Sequence, residues 1–492
     1  MSELWTHLSA ESEFHRSRVL FSNVAEDYQK TYRQFWLEAR NLAMWFRSSD
    51  CHRVLLVLPN CEIGATLITA ALISGVEICQ ISNMSTPDEI AGAINQLKPD
   101  CVISSEPKTK FFESDKDSNP IHWVAIEGLS EKANGALEEL EPIYFEYGKL
   151  IVFTSGSEGL PKSLVLSGRR IWESAQVFSH VYNISSSQRF WNYLPMNYLG
   201  GTFNLFLIPM AASASVYLDR PFDGKTFLQF ASVVDREKIS VLWLIPTIAR
   251  GLLRLSSKDS FVRPLNQISL AFMGTAPSEA KERIAIEKLL GCEVYENYGL
   301  SETTFVLLEP LREPGSEDAR RMITYPGVEV RQSEAEGCLE VKSPFVLDGI
   351  IDGTGRLIPN DDVWMDTRDR VSFSKGEIKL SGRKRDAIKK GGVLLNLAEV
   401  EASTRDFVFW GEITAIPVHD DFYGENYILV FESRGIDQDK ADIIRHVSTK
   451  LSRSKLPQEV ISAPDIAFTR AGKVDKRATL QNINLSYRLL GR

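Results

Sequence analysis

Between residues 53 and 104 the hydrophobic pattern alternates between strand and helix spacing, and few architectures accommodate that. Arg53 to Leu58 is a short apolar run ending at Pro59-Asn60, and a helical stretch follows to Ser74. Val76 to Ile81 is apolar again, Pro87 to Leu97 has helical spacing, and Asp100 to Ser104 is a third short run. Strands separated by crossover-length helices predict a parallel sheet in an α/β layer fold. Upstream, Thr31 to Phe46 carries apolar residues at helical spacing. From Glu106 to Tyr147 the chain turns polar and irregular, and Leu150 to Phe153 then begins a new strand.

Further runs include LWLIP at 242–246 and LAFMG at 270–274, with shorter strands and turns over Gly327 to Gly349. The segment 382–492 has its own signals: strands at Glu412 to Val418 and Tyr427 to Glu432, and a helix from Asp437 to Leu451. A chain of 492 residues exceeds what one core usually organises. We therefore expect two units, 1–381 and 382–492.

Net charge −9 argues against a surface built to neutralise nucleic-acid phosphates. The six cysteines form no CxxC pair and sit near no histidine at metal-ligand spacing, so they read as reduced thiols of a cytoplasmic protein. The N-terminal residues lack the charge and apolar pattern of a secretory signal. Ile63 to Val76 and Thr202 to Val216 are too short and interrupted to span a bilayer and read as buried helices.

The sharpest local feature is LIVFTSGSEGLPK, an apolar strand running into Thr154-Ser155-Gly156-Ser157-Glu158-Gly159-Leu160-Pro161-Lys162. Glycines let backbone N–H groups wrap an anion, hydroxyls donate further bonds, and lysine adds a point charge, which suits ATP phosphates. It is not a Walker A loop, because Pro161 stands where that pattern requires its second glycine.

This loop resembles the signature of the adenylate-forming superfamily of acyl-CoA synthetases, peptide-synthetase adenylation domains and firefly luciferase. Other segments similar to that family's motifs follow in its order: Met273-Gly274-Thr275-Ala276-Pro277, Asn297-Tyr298-Gly299-Leu300-Ser301-Glu302, Pro326 to Val330, Gly337 to Val341, Asp366-Thr367-Arg368-Asp369, Gly382-Arg383-Lys384-Arg385-Asp386 with Gly391-Gly392, and Ala471-Gly472-Lys473. The resemblance implies a large N-terminal domain of two α/β subdomains plus a distorted β-barrel, and a small mobile α+β C-terminal domain.

It also implies roles. Thr154, Ser155, Gly156, Ser157, Gly159 and Lys162 would hold ATP phosphates, Gly274, Thr275, Ala276, Asn297 and Gly299 would flank the nucleotide, and Tyr298 would stack on adenine. Ser301 would contact the α-phosphate, Glu302 would hold Mg²⁺, and Asp369 and Arg383 would bind ribose. Lys473 would approach the carboxylate and α-phosphate, Arg385 would be the hinge, and Gly392 would line the thiol path. The expected activity is ATP-dependent formation of an acyl-AMP, then transfer to coenzyme A or to the phosphopantetheine of an acyl carrier protein.

Leu194 to Gly201 resembles the acyl-pocket segment of acyl- and aryl-CoA ligases, with Tyr198 in place of histidine. The aspartate that amino-acid-activating relatives place there is missing, which favours a non-amino carboxylic acid, fatty or aryl. Met196, Tyr198 and Trp243 are the candidate pocket residues. Three positions depart from the family pattern: Glu158 for threonine, and Ser163 and Arg368 for glycine. The competing reading they raise is a non-catalytic nucleotide- or acyl-binding protein.

Overall fold

The structure is a computed structural model. It describes residues 4, 7, 17–107, 121–129, 147–154, 162–256, 265, 267–274, 280–312, 321–333, 337–374, 377–383, 387–405, 413–432, 440–467 and 476–483. Among these the strands form four sheets.

One sheet has the strand order 357–359, 349–351, 162–167, 149–154, 77–81, 53–57, 101–104, 122–125. Its centre is parallel, joined by helices Glu62–Ser74 and Pro87–Leu97 as the alternating pattern predicts. Helix Glu62–Ser74 is apolar on all sides because sheet and helices enclose it, and Gly64 to Ile73 are all buried. Helix Pro87–Leu97 opens with Pro87 and a capping box, in which Thr86 accepts from Glu89 N–H and Glu89 accepts from Thr86 N–H. A like box at Thr31 and Gln34 starts helix Tyr32–Ser48, whose buried face presents Phe35, Trp36, Ala39, Leu42, Ala43 and Phe46.

The second large sheet has the order 323–324, 304–308, 294–300, 270–273, 241–244, 189–192, 215–218, 19–23, 28–31. Strands 189–192, 241–244, 270–273 and 294–300 run parallel, so their carboxyl ends open on one side, where open α/β sheets bind ligands. One continuous core joins the two sheets, with Trp172, Trp191, Trp243, Phe178 and Phe190 among its largest enclosed side chains.

A four-stranded antiparallel sheet, 329–332, 338–342, 365–374 and 377–383, stands where the resemblance puts a distorted barrel. The fourth sheet, 393–396, 387–390, 424–432, 413–420 with 459–463, buries separate clusters on its two faces. The chain is thus a mixed α/β protein with a large N-terminal body and a small C-terminal one. The boundary expected after Ser381 falls inside strand Glu377–Arg383, whose last residue still pairs with Asp369. Ser381-Gly382 is a turn-type pair by sequence, yet Gly382 pairs with Arg370, so the strand runs on through it.

All six cysteines are free thiols, four of them buried. Among the described residues no helix is long and apolar enough to cross a membrane.

Candidate functional site

Strand Lys149–Thr154 pairs antiparallel with Lys162–Ser167, Thr154 opposite Lys162, so the predicted phosphate loop is the connection of a hairpin. Ser155 to Pro161 lie outside the described residues, as do Thr275, Ala276, Arg385 and Lys473. Ser163 sits within the strand, between Phe153 and Ile351, and is fully buried. Its departure from glycine is therefore accommodated in a strand, not in the anion-facing loop.

Strand Val294–Leu300 carries Asn297, Tyr298 and Gly299 out of the parallel sheet and folds back as a hairpin with Thr304–Leu308. A Cβ on Gly299 would stand 1.8 Å from the Thr304 carbonyl oxygen, so the hairpin's own backbone requires glycine there. Ser301 and Glu302 occupy the turn, and the Glu302 carbonyl accepts from Leu347 N–H at 2.8 Å. One strand away, a Cβ on Gly274 would meet Asn297 Oδ1 at 2.6 Å.

Asp369 arrives from the four-stranded sheet. The residue is 6% exposed, and the Tyr298 hydroxyl donates to its Oδ2 at 2.6 Å. Thr367 Oγ1 accepts from Asp369 N–H and donates to the Leu339 carbonyl, which fixes the preceding turn. Arg368, where the family pattern has glycine, holds φ +59°, the left-handed region that favours glycine. Its N–H is stabilised by Asp366 Oδ1 at 2.7 Å. Of Arg383 the backbone is described, opposite Asp369.

The segment Leu194 to Gly201, expected to border the acid, follows the carboxyl end of strand Arg189–Asn192. Met196 is buried, and its N–H donates to Asn60 Oδ1 at 2.9 Å. Asn60 Nδ2 reaches the carbonyls of Leu194 and Asp219. The Tyr198 carbonyl accepts from Gly201 and Thr202 N–H, opening the π-helix Gly200–Leu207. Trp243 has no exposed surface and packs on Phe178, Phe272 and Phe305 at ring-centroid separations of 4.8 to 5.8 Å. Gly391 and Gly392, at φ +56° and +85°, form the two-residue turn of hairpin 387–390/393–396.

Sequence reasoning missed Asn60, which pins Leu194 and Met196 from the other sheet, and Arg170, which donates to the Val346 carbonyl and Asp348 behind the Glu302 turn. Asn60 left a faint signal as the polar residue after Pro59 at a strand end. Arg170 left none.

The donor set fits a nucleotide. Asn297 is 7% exposed, and its Nδ2 has no hydrogen-bond partner among the described residues, a buried donor that a base nitrogen would satisfy. For a metal the chain offers less: among the described residues no group of three or more His, Cys, Asp or Glu is arranged to hold one. Glu302 alone suits Mg²⁺, which typically takes one or two protein carboxylates and completes its shell with phosphates and water.

Residues 9–344 match the AMP-binding enzyme family. The chain belongs to that family. As a member of the adenylate-forming superfamily it is an AMP-forming ligase. An uncharacterised acyl-CoA ligase of Bacillus subtilis is 24% identical over 95% of both chains. The 2-succinylbenzoate–CoA ligase of Staphylococcus aureus is 20% identical over 96% of this chain and 99% of its own. Among solved structures, the amide bond synthetase McbA of Marinactinospora thermotolerans superposes with TM-score 0.82 at 20% identity, covering 98% of this chain and 99% of that one.

Proposed function

We propose that this AMP-binding enzyme activates a non-amino carboxylic acid, fatty or aryl, as its acyl-AMP and transfers the acyl group to a thiol, giving an acyl-CoA. The observation that carries the reading is the Tyr298–Asp369 contact. It brings an aromatic face and a buried carboxylate, 71 residues apart in sequence, to the open ends of the parallel strands. An aromatic ring suits a base, and a carboxylate with two acceptor oxygens suits a ribose diol. The relatives named as acid–CoA ligases support the thioester product.

In this reading Asp369 and Arg383 hold ribose, Tyr298 stacks on adenine, and Asn297 satisfies its open donor on the base edge. The loop from Thr154 to Lys162 wraps the phosphates, and Ser301 contacts the α-phosphate. Mg²⁺ held by Glu302 supplies charge neutralisation on the phosphates. Met196 and Tyr198 border the acid. Its carboxylate oxygen attacks the α-phosphorus, the bond to the β-phosphate oxygen breaks, and pyrophosphate leaves. Lys473 stabilises the charge that develops there, so catalysis is positioning plus electrostatics without a side-chain nucleophile. The thiol then attacks the acyl carbonyl along a path bordered by Gly392, AMP leaves, and rotation about Arg385 separates the two steps.

The acceptor is tested by supplying acyl-AMP with coenzyme A, a purified carrier protein, or a simple amine, and weighing the products by mass spectrometry. Acyl-CoA is expected, and Lys473→Ala should largely spare this step. Acylated carrier protein or amide in place of acyl-CoA would overturn the assignment of the acceptor.

A further inference from the structure

Helix Pro87–Leu97 follows the carboxyl end of strand Glu77–Ile81, which runs parallel with Lys149–Thr154, the strand that leads into the expected phosphate loop. Helix Gly224–Glu237 likewise follows the carboxyl end of strand Ser215–Leu218, which runs parallel with Arg189–Asn192. Contacts of the small body reach the first turns of both helices. Lys450 pairs with Asp88, Lys455 Nζ donates to Glu89 Oε1 at 3.2 Å, and Ser452 N–H donates to the same oxygen at 3.3 Å. Phe422 packs on Phe227 with ring centroids 6.5 Å apart. The side chains of Glu89 and Lys455 are each 18% exposed, so water screens their pair less than it would an exposed one.

The small body's own register fixes which of its ends makes these contacts. Lys390 pairs with Gly424 and donates through Nζ to the Leu456 carbonyl. The Gly391-Gly392 turn, the turn after Asp420 that carries Phe422, and the segment 452–456 therefore gather at one end of its sheet. The opposite end holds Lys476, the described residue nearest Lys473 in sequence. Its Nζ lies 3.7 Å from Glu401 Oε1, which accepts from Ala415 N–H at 2.8 Å. Ala415 stands five residues before Asp420 on strand Ile413–Asp420, so about 17 Å separates the two ends. The small body thus turns its double-glycine end toward the carboxyl side of the large sheets.

We propose that this pose is the one for thiol transfer, and that Asp88 and Glu89 are positioning residues that latch it through Lys450, Ser452 and Lys455. The inference rests on the ligase reading above and assigns residues to its second step. Adenylation needs Lys473 at the α-phosphate, so for that step the small body turns its other end inward. Lys450, Ser452 and Lys455 then leave the two carboxylates, because they travel with the double-glycine end. The latch stabilises the geometry of one step and not the other, so its strength sets how the enzyme divides its time between them. Ion pairs and one N–H bond suit that task, since each contributes little alone and the pose can be released in every cycle.

Two engineered cysteines test the pose. In Asp88→Cys with Lys450→Cys, a bis-maleimide containing a reducible disulfide ties the bodies together. Mass spectrometry confirms the bridge, and each single variant controls for the native free thiols. Adenylation is read as acid-dependent ATP–pyrophosphate exchange, and transfer as acyl-CoA formed in a single turnover from supplied acyl-AMP and coenzyme A. Bridging is expected to keep transfer within about twofold of the unbridged double variant, while exchange falls at least about 50-fold and returns when the bridge is reduced. Without a bridge, Glu89→Gln and Lys455→Met should each lower transfer about three- to tenfold and leave exchange unchanged or faster. Exchange that survives bridging, or transfer lost on bridging, overturns the inference and leaves the ligase reading intact. So do transfer and exchange that move together, or not at all, in Glu89→Gln and Lys455→Met. Absence of both half-reactions in the wild type with every acid overturns both.

Discussion

Tyr298 performs two tasks that substitution can separate. Its ring is available to a base, while its hydroxyl holds Asp369 at 2.6 Å. Tyr298→Phe keeps the ring and releases the carboxylate, so the ATP KM should rise about three- to tenfold with the acid KM unchanged, a loss of about 1 kcal/mol typical of one hydrogen bond. An equal rise in both would mean that the hydroxyl organises the whole pocket. Arg368 makes the opposite prediction. At φ +59° an L-residue is strained, so Arg368→Gly should stabilise the fold by about 1 kcal/mol in urea unfolding, with ATP use unaffected. The sequence made Tyr298, Asp369 and the unusual Arg368 visible because each lies in a short contiguous motif. It hid Asn60, since the bond to Met196 N–H spans 136 positions that only the packed sheets bring together.

Elements were legible where their ends carry chemical signals. The helix read from Thr31 to Phe46 forms as Tyr32–Ser48, and Pro87–Leu97 forms as read, because a capping threonine and its partner three residues on mark each start. Thr202 to Val216, read as one buried helix, forms the π-helix Gly200–Leu207 and helix Ile208–Ala211 and then strand Ser215–Leu218; a segment apolar on nearly every side has no phase from which to read its period or its end. The hairpin 294–300/304–308 makes the strictest demand on a single residue. Gly299→Ala would force a methyl group within 1.8 Å of the Thr304 oxygen, and we expect about 3 kcal/mol of destabilisation in urea unfolding, far more than an alanine at an open strand position would cause. Unchanged stability would show that the hairpin relaxes and that glycine serves the ligand instead.

At the scale of the molecule, contacts between the two bodies include the first turn of helix Pro87–Leu97 and the ring pair Phe227–Phe422. Glu89 caps its own helix through Oε2, while its Oε1 accepts from Ser452 N–H at 3.3 Å and Lys455 Nζ at 3.2 Å; Asp88 pairs with Lys450 beside it. Glu89→Gln preserves the cap and removes the charge, so it should weaken docking by about 1 kcal/mol and broaden the small body's positions in small-angle X-ray scattering without lowering the melting temperature of the large one. An unchanged scattering profile would show that other contacts hold the pose. Partners 363 residues apart in sequence leave no local trace, which is why the sequence announced a small second unit but not how it sits. If the loop after Phe153 and the distal Lys473 serve one acid-activating nucleotide site, ATP–pyrophosphate exchange across an acid panel will reveal it. Exchange should depend on the acid and fall at least about 100-fold in Lys473→Ala. Exchange with no acid at all, or exchange that Lys473→Ala and Asp369→Ala leave untouched, would contradict it.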